Sequence, residues 1–223
     1  PLTSGHIPGN TYSTFAGGPT KVAPLGTGFV AVWLERTSGT PTLSARVYDG
    51  TGSITAEALP LTATPLGHSA FDLVAAGGTF ALVFRDAGGG IRFSRFDEFL
   101  NRLTPEESVV VTGANGPTAI GFDGERYGLV FRHSGGWGYA SVWPDGSLAE
   151  QRLPLALTPP GNTQPYLFWL GGSWALVWQS WEGSTIVLGR FSASGDVLLP
   201  ATPLTPPAAY SSRNQYTAAF GGD

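Results

Sequence analysis

Histidine is scarce and cysteine is absent in this sequence, and the spacing of the histidines is the first guide to function. The three histidines, His6, His68 and His133, lie far apart along the chain, and there is no cysteine. Metal centres usually need three or four convergent ligands, and no short His spacing is present. The sequence therefore predicts no metal site, no disulfide and no thiol nucleophile.

Most acidic residues are interpreted as turn residues, as in Asp49-Gly50, Asp123-Gly124 and Asp145-Gly146. Aspartate before glycine is typical of turns, where its carboxylate binds nearby backbone N–H groups. Glu106 and Glu107 are adjacent, but neighbouring residues on a strand point to opposite faces. A glycosidase needs two carboxylates about 5–10 Å apart across a cleft, so this pair cannot supply them alone.

The glycine runs do not form a phosphate or nucleotide site. Residues 88–90 are three consecutive glycines without the following Lys-Ser/Thr of a phosphate-binding loop. The chain also has no Gly-x-Ser-x-Gly motif for a serine nucleophile. These glycines are interpreted as hairpin turns, and no cofactor is predicted.

Three aromatic residues are candidates for ligand binding, namely Trp137, Tyr139 and Trp181. They fall in or beside predicted turns, after Gly135-Gly136 and after Gln179-Ser180. Exposed aromatic rings on loops stack against sugars or anchor peptides. The alternative is that they pack in the core, which is the commoner use of a large aromatic side chain.

Two arginines, Arg85 and Arg132, occupy the same place in successive repeats, directly after an aromatic residue. At one mouth of a ring-shaped fold they would attract an anionic group. The alternative is an ordinary surface salt bridge, for example from Arg85 to Asp86.

Composition excludes several classes of protein. The 223 residues include 32 Gly and 18 Pro, which interrupt any long helix, and 12 basic against 16 acidic residues with no basic stripe. A nucleic-acid partner is therefore not expected. No apolar run approaches the ~18 residues of a transmembrane helix, so no membrane insertion is predicted.

The elements that must position these residues are revealed by an internal repeat. Four apolar runs each end in an aromatic residue, and these residues are 51, 47 and 47 positions apart: Trp33, Phe84, Phe131 and Trp178. A second series, about 13 residues later, has aromatic residues at Tyr48, Phe96, Trp143 and Phe191. Markers that recur at one fixed period are a strong indication of a repeat fold.

Each repeat is interpreted as four short strands. In the second repeat they are residues 70–76, 79–85, 91–96 and 107–112, separated by turns rich in glycine. The strand at 79–85 is apolar throughout, as expected of a strand buried on both faces. Four antiparallel strands in each repeat of 40–50 residues predict an all-β fold, a β-propeller. We expect the aromatic ends of the second strands to be buried.

The repeats resemble the blades of bacterial β-propeller proteins. The shared features are the Gly-Gly turn, the aromatic-ended strand at 80–84, and the third strand Ser94-Arg95-Phe96-Asp97. The Gly-His and Trp-Asp pairs of true WD40 repeats and the Asp box of sialidases are missing. The resemblance implies the fold and leaves function open, because propellers include enzymes, lectins and scaffolds.

The predicted unit is a single propeller domain over residues 1–223, with complete blades at about 20–62, 69–112, 117–158 and 163–205. Residues 1–5 and 210–223 are interpreted as the edges of further blades. An unpaired first strand at 214–220 predicts a ring of five to seven blades, completed by further sequence or by strands from another chain.

The leading functional hypothesis is a non-catalytic module that presents loops to a protein or glycan partner. One alternative is a carbohydrate-active enzyme with carboxylates at the channel mouth. Another is a structural subunit of a larger assembly. The excess of Arg over Lys is typical of GC-rich bacteria, and the Pro-rich segments between blades and the low charge suit a rigid, exposed scaffold. We expect an extracellular, surface or periplasmic location.

Overall fold

A computed structural model describes residues 20–37, 40–58, 60–104, 108–157, 159, 164–180 and 185–205. Every regular element in these ranges is a β-strand, as the glycine and proline content predicted. None of the described residues forms a helix long and apolar enough to cross a membrane.

In the described ranges, sixteen strands form four antiparallel sheets of four strands each. The first sheet contains β1 (Lys21–Leu25), β2 (Gly28–Thr37), β3 (Thr40–Tyr48) and β4 (Ile54–Ala58). The second contains β5 (Leu66–Ala76), β6 (Thr79–Asp86), β7 (Ile91–Asp97) and β8 (Ser108–Val111). The third contains β9 (Ala114–Phe122), β10 (Tyr127–His133), β11 (Gly136–Val142) and β12 (Leu148–Arg152). The fourth contains β13 (Tyr166–Trp169), β14 (Trp174–Gln179), β15 (Ile186–Phe191) and β16 (Val197–Pro203).

Within each sheet the strands pair in chain order, so each sheet is one meander and corresponds to one blade. The first strands of neighbouring blades lie beside one another: β1 contacts β5, β5 contacts β9, and β9 contacts β13. This arrangement is the predicted β-propeller architecture.

The second strands are buried on both faces. Phe80, Leu82 and Phe84 of β6 pack with residues of blade 1, whereas Ala81 and Val83 pack with blade 3. A third apolar cluster joins blades 3 and 4. Because successive residues of a strand point to opposite faces, a strand between two blades must be apolar throughout.

The boundaries differ from the prediction at the first strands. In blade 2 the first strand begins at Leu66 and not at residue 70, and in blade 3 it begins at Ala114 and not at residue 117. Both strands contain an irregular register near their start, which hides the extra residues from any simple alternation pattern. The predicted blade edges at residues 1–5 and 210–223 lie outside the described residues.

Candidate functional site

The two predicted arginines lie at one end of the blades, where the first strands begin. First and second strands are antiparallel, so each second strand finishes where the first strand of its blade starts. Arg85 and Arg132 therefore lie at this end, each directly after the aromatic residue of its blade. We call this end, with Arg85, Arg132 and the irregular parts of β5 and β9, the arch face.

The first strands of blades 2 and 3 bulge out opposite these arginines. In blade 2, Leu66 pairs with Asp86 and Phe71 with Phe84, so residues 67–70 lie opposite Arg85 alone. In blade 3, Ala114 pairs with His133 and Thr118 with Phe131, so residues 115–117 lie opposite Arg132. Bulges of this kind redirect side chains and are common beside binding sites.

The arched backbone lies close to the residues beneath it. A Cβ atom added to Gly116 would lie 3.0 Å from the Cβ and Cδ atoms of Arg132, so the arginine stem packs on this backbone. Arg85 is half-buried, and its Nε has no hydrogen-bond partner among the described residues. An N–H group in that position is costly unless a ligand or water accepts from it.

The predicted alternative for Arg85, a salt bridge to Asp86, is not formed within the described part of the chain. Asp86 accepts instead from Nε of Arg92 at 2.6 Å and from the backbone N–H of Gly90 at 2.7 Å. These contacts hold the pKa of Asp86 below its ordinary value, although partial burial opposes them. Arg85 and Asp86 are consecutive on β6 and point to opposite faces, which explains the difference.

Next to the arches, four positions of the first strands share one level of the channel. In each blade one first-strand residue pairs with the valine that precedes the blade's aromatic residue. The pairs are Lys21 with Val32, Asp72 with Val83, Ala119 with Val130, and Tyr166 with Val177. Nζ of Lys21 lies 3.1 Å from Oδ1 of Asp72 and 5.1 Å from the centre of the Tyr166 ring. One cation thus joins blades 1, 2 and 4.

Asp72 is held on two sides. Its Oδ2 accepts a hydrogen bond of 3.1 Å from the backbone N–H of Ile120, and its Oδ1 faces Lys21. Burial raises the pKa of Asp72, and these two partners act in the opposite direction. Sequence reasoning did not single out Lys21 or Asp72. The signal was the unusual presence of charged residues at equivalent positions of otherwise apolar strands.

This arrangement limits the chemistry that the described channel can perform. Asp72 is the single carboxylate on the described first strands, and hydrolysis of a glycoside canonically uses two. No group of three or more His, Asp or Glu residues suited to a metal ion occurs within the described ranges. Glu106, Glu107 and His6 lie outside those ranges.

The aromatic candidates are placed differently from the prediction. Trp137 is the second residue of β11 and only 2% exposed, and its indole N–H donates to the carbonyl of Pro159 at 2.7 Å. Tyr139 is also buried, accepts from Nε1 of Trp174 at 2.9 Å, and has its pKa raised to about 12 by burial. Neither forms an exposed stacking surface, because the strand starts earlier than the glycine pair suggested. Trp181 lies outside the described residues.

One aromatic residue was aligned wrongly. Tyr127 of β10 pairs with Val142, just as Phe80 pairs with Phe96 in blade 2. Val142 is therefore the third-strand equivalent in blade 3, and Trp143 is the first residue of the following turn. At 37% exposure it presents the accessible ring that was predicted at Trp137.

Comparison with known proteins identifies the fold. No protein-family model matches the chain, and no sequence match was found among curated proteins. The chain is similar in structure to a mutant of AofleA from Arthrobotrys oligospora in which three arginines are replaced by alanine. The TM-score is 0.59, with 14% identity over 84% of this chain. It spans 58% of that protein, less than two thirds of its length.

Two further solved structures are similar. The SapL1 lectin in complex with alpha methyl fucoside has a TM-score of 0.52 and 16% identity, covering 85% of this chain and 67% of the lectin. A GH43 alpha-L-arabinofuranosidase from Clostridium thermocellum has a TM-score of 0.54 and 12% identity, covering 88% and 76%. At this level of identity the likeness establishes the propeller fold.

Proposed function

We propose that this chain is a non-catalytic propeller module that binds an acidic oligosaccharide at the arch face. The observation that carries the proposal is the repetition of one device in two neighbouring blades: an arginine placed beneath an arched first strand. A repeated arginine at a regular spacing suits a ligand whose own acidic groups repeat.

The charge distribution favours an anion over a cation. The nearby carboxylates have internal partners: Asp72 faces Lys21, and Asp86 faces Arg92. Glu35 accepts from the hydroxyl of Ser44. Arg85, in contrast, keeps a buried Nε donor without a partner in the described ranges. An incoming carboxylate or sulfate would satisfy it with a charge-assisted hydrogen bond.

Carbohydrate is the ligand class that the structural neighbours support. They include a lectin in complex with a fucoside and a GH43 arabinofuranosidase. The glycosidase alternative requires a second carboxylate in the channel, and the described first strands do not provide one. Binding without hydrolysis therefore agrees better with the side chains present at this end.

The proposal is tested by binding to a panel of neutral and acidic oligosaccharides, measured by calorimetry. We expect acidic members to bind, and Arg85→Gln or Arg132→Gln to weaken binding about tenfold, since each removes a charge-assisted contact. Arg152→Gln is the matched control, because Arg152 is exposed on an outer strand beside Glu150. Unchanged affinity in the Arg85/Arg132 double variant would refute the site.

A parallel assay for hydrolysis uses chromogenic glycosides. We expect no turnover above that of buffer. Turnover that disappears in Asp72→Asn would overturn the non-catalytic assignment and favour the hydrolase alternative, because a catalytic carboxylate must ionise or carry a proton.

A further inference from the structure

The hairpin turns between third and fourth strands follow one rule, with one exception. Each turn is closed by a backbone hydrogen bond of 2.8–3.1 Å from its first residue to its fifth: Asp49 to Ser53, Asp97 to Asn101, Trp143 to Ser147, and Ser192 to Asp196. In three blades the side chain of the first residue accepts from the fifth N–H, through Asp49, Asp97 or Ser192. In blade 3 this position is Trp143, whose ring cannot accept in that way.

The exception leaves a large ring at the surface. Trp143 is 37% exposed, whereas four other tryptophans are at most 4% exposed: Trp33, Trp137, Trp174 and Trp178. The turn itself does not need the ring, because the backbone bond from Trp143 to Ser147 is 2.9 Å long and Asp145 accepts from the Ser147 N–H. A tryptophan that neither packs in the core nor holds its turn is available to a ligand.

An arginine lies beside this ring. The turn between β9 and β10 carries Arg126, whose guanidinium carbon lies 5.4 Å from the centre of the Trp143 ring. Both turns are at the end of blade 3 opposite the arch face, since β10 and β12 begin there. Nε of Arg126 has no hydrogen-bond partner among the described residues, and the nearest carboxylate oxygen, Oδ2 of Asp123, is 3.9 Å away.

The charges of these two turns select the class of ligand. Asp123 uses Oδ1 to accept from the backbone N–H groups of Glu125 and Arg126. Glu125 and Asp145 bring two more carboxylates to the same turns. Three carboxylates and one guanidinium repel an acidic ligand, whereas they offer donors and acceptors to neutral hydroxyl groups.

We propose that Trp143 and Arg126 form a binding subsite for a neutral pyranose sugar. The apolar C–H face of the sugar stacks on the Trp143 ring, its hydroxyl oxygens accept from the Arg126 guanidinium, and its hydroxyl protons are donated to the carboxylates of the turns. This subsite is separate from the arch face in both position and ligand charge.

The test is a titration with the methyl pyranosides of glucose, galactose and mannose, followed by the indole N–H resonance of Trp143. That resonance is assigned by its absence in Trp143→Ser, which places the blade 4 residue type in the blade 3 turn. We expect at least one neutral pyranoside to shift it, with affinity at least about tenfold weaker in Trp143→Ser and Arg126→Gln. Affinities in the variants are read by calorimetry.

The matched control is Arg102→Gln. The guanidinium of Arg102 lies 5.7 Å from the ring of Phe96, but that ring is buried, so the same type of cation–aromatic pair is present without a ligand surface. Affinity for the sugar should be unchanged in this variant. Circular dichroism checks that every variant is folded.

Three results would overturn the subsite. The first is the absence of any shift with the three pyranosides up to their solubility limits. The second is tighter binding of glucuronate than of methyl glucoside, which contradicts the charge argument. The third is loss of pyranoside binding in Arg85→Gln, which would assign the sugar to the arch face. Failure of acidic oligosaccharides to bind leaves this result unaffected, so the two proposals fail separately.

Discussion

Four aromatic residues mark the core most clearly at the level of single residues. The sequence predicted that Trp33, Phe84, Phe131 and Trp178 would be buried, and all four are at most 4% exposed. Their spacing was informative because each lies at the same step of a second strand, and at that step Phe84, Phe131 and Trp178 pack against the preceding blade. The repeat thus predicts burial where one isolated aromatic residue would not.

Substitution of Phe84 by alanine tests this core. The ring is fully buried between blades 1 and 2, so its loss should lower the free energy of unfolding by about 3–5 kcal/mol. Phe99→Ala is the control, since Phe99 is 66% exposed and should change stability by less than about 0.5 kcal/mol. Urea unfolding measures both, and equal effects would contradict the assignment of the core.

Residue-level prediction failed where one position decided the face. The interpretation of Trp143 as a third-strand residue was off by one, and a shift of one residue moves a side chain to the other side of a strand. The spacing of aromatic residues cannot detect this, because 46, 47 and 48 residues all fit a repeat with variable turns. The pairing of Tyr127 with Val142 shows which residue is the third-strand equivalent in blade 3.

At the level of strands and sheets, Trp174 shows how one blade fits against the next. Its ring, at the start of β14, lies against Gly121 of β9 and Gly128 of β10. A Cβ atom at Gly128 would approach the ring to 2.4 Å, and one at Gly121 to 2.7 Å. The two glycines therefore make room for a tryptophan from the neighbouring blade.

Gly128→Ala should destabilise the protein by about 1–3 kcal/mol, because the added methyl group overlaps the Trp174 ring. Trp174→Leu alone should also destabilise, by removing buried aromatic surface. The double variant should be more stable than the sum of the two losses predicts, since the smaller side chain relieves the overlap. Thermal unfolding of all four proteins gives the coupling energy, and strict additivity would show that the ring does not press on Gly128.

The bulges at the start of β5 and β9 could not be predicted from the sequence. Strand prediction relies on alternation, and residues 67–70 and 115–117 leave the ladder. Their position depends on contacts that only the folded chain reveals, such as the approach of Gly67 to the carbonyl of Asp86, where a Cβ atom would lie at 2.2 Å. Arg85 and Arg132 were identified from their repeat position, but the bulges opposite them were not.

At the level of the whole molecule, Lys21 is the residue that joins blades distant in sequence. It pairs with Asp72 of blade 2 and lies over Tyr166 of blade 4, while Asp72 reaches the backbone of blade 3. The repeat predicted the four blades but not this contact, because the equivalent positions carry four different residue types. Long-range pairing of unlike residues leaves no periodic signal.

Lys21→Met should make stability depend more strongly on pH. Burial raises the pKa of Asp72, so its protonated form is favoured in the folded state. The stability that the protonated Asp72 carboxyl contributes is therefore fully present below its unfolded pKa of about 3.9. It is lost as the pH rises through the pKa of Asp72 in the folded protein. Without Lys21 the carboxylate is uncompensated, and the folded pKa should rise further.

We expect the variant to lose about 3–5 kcal/mol at pH 7, as for a buried ion pair with one partner removed, and much less at pH 4. Denaturant titrations at the two pH values measure the difference. Lys21→Met/Asp72→Asn removes both charges and should abolish most of the pH dependence that Asp72 causes. An equal loss at both pH values would mean that Lys21 acts through packing and not through its charge.

The turns between third and fourth strands have a consequence for how such a protein changes over evolution. Each is closed by main-chain atoms, and the side chain at its first position differs between blades without altering that closure. The tips can therefore acquire new residues, or longer loops, without loss of the underlying scaffold. When blades arise by duplication, the turn residues of one blade can change in this way while the other blades maintain the fold.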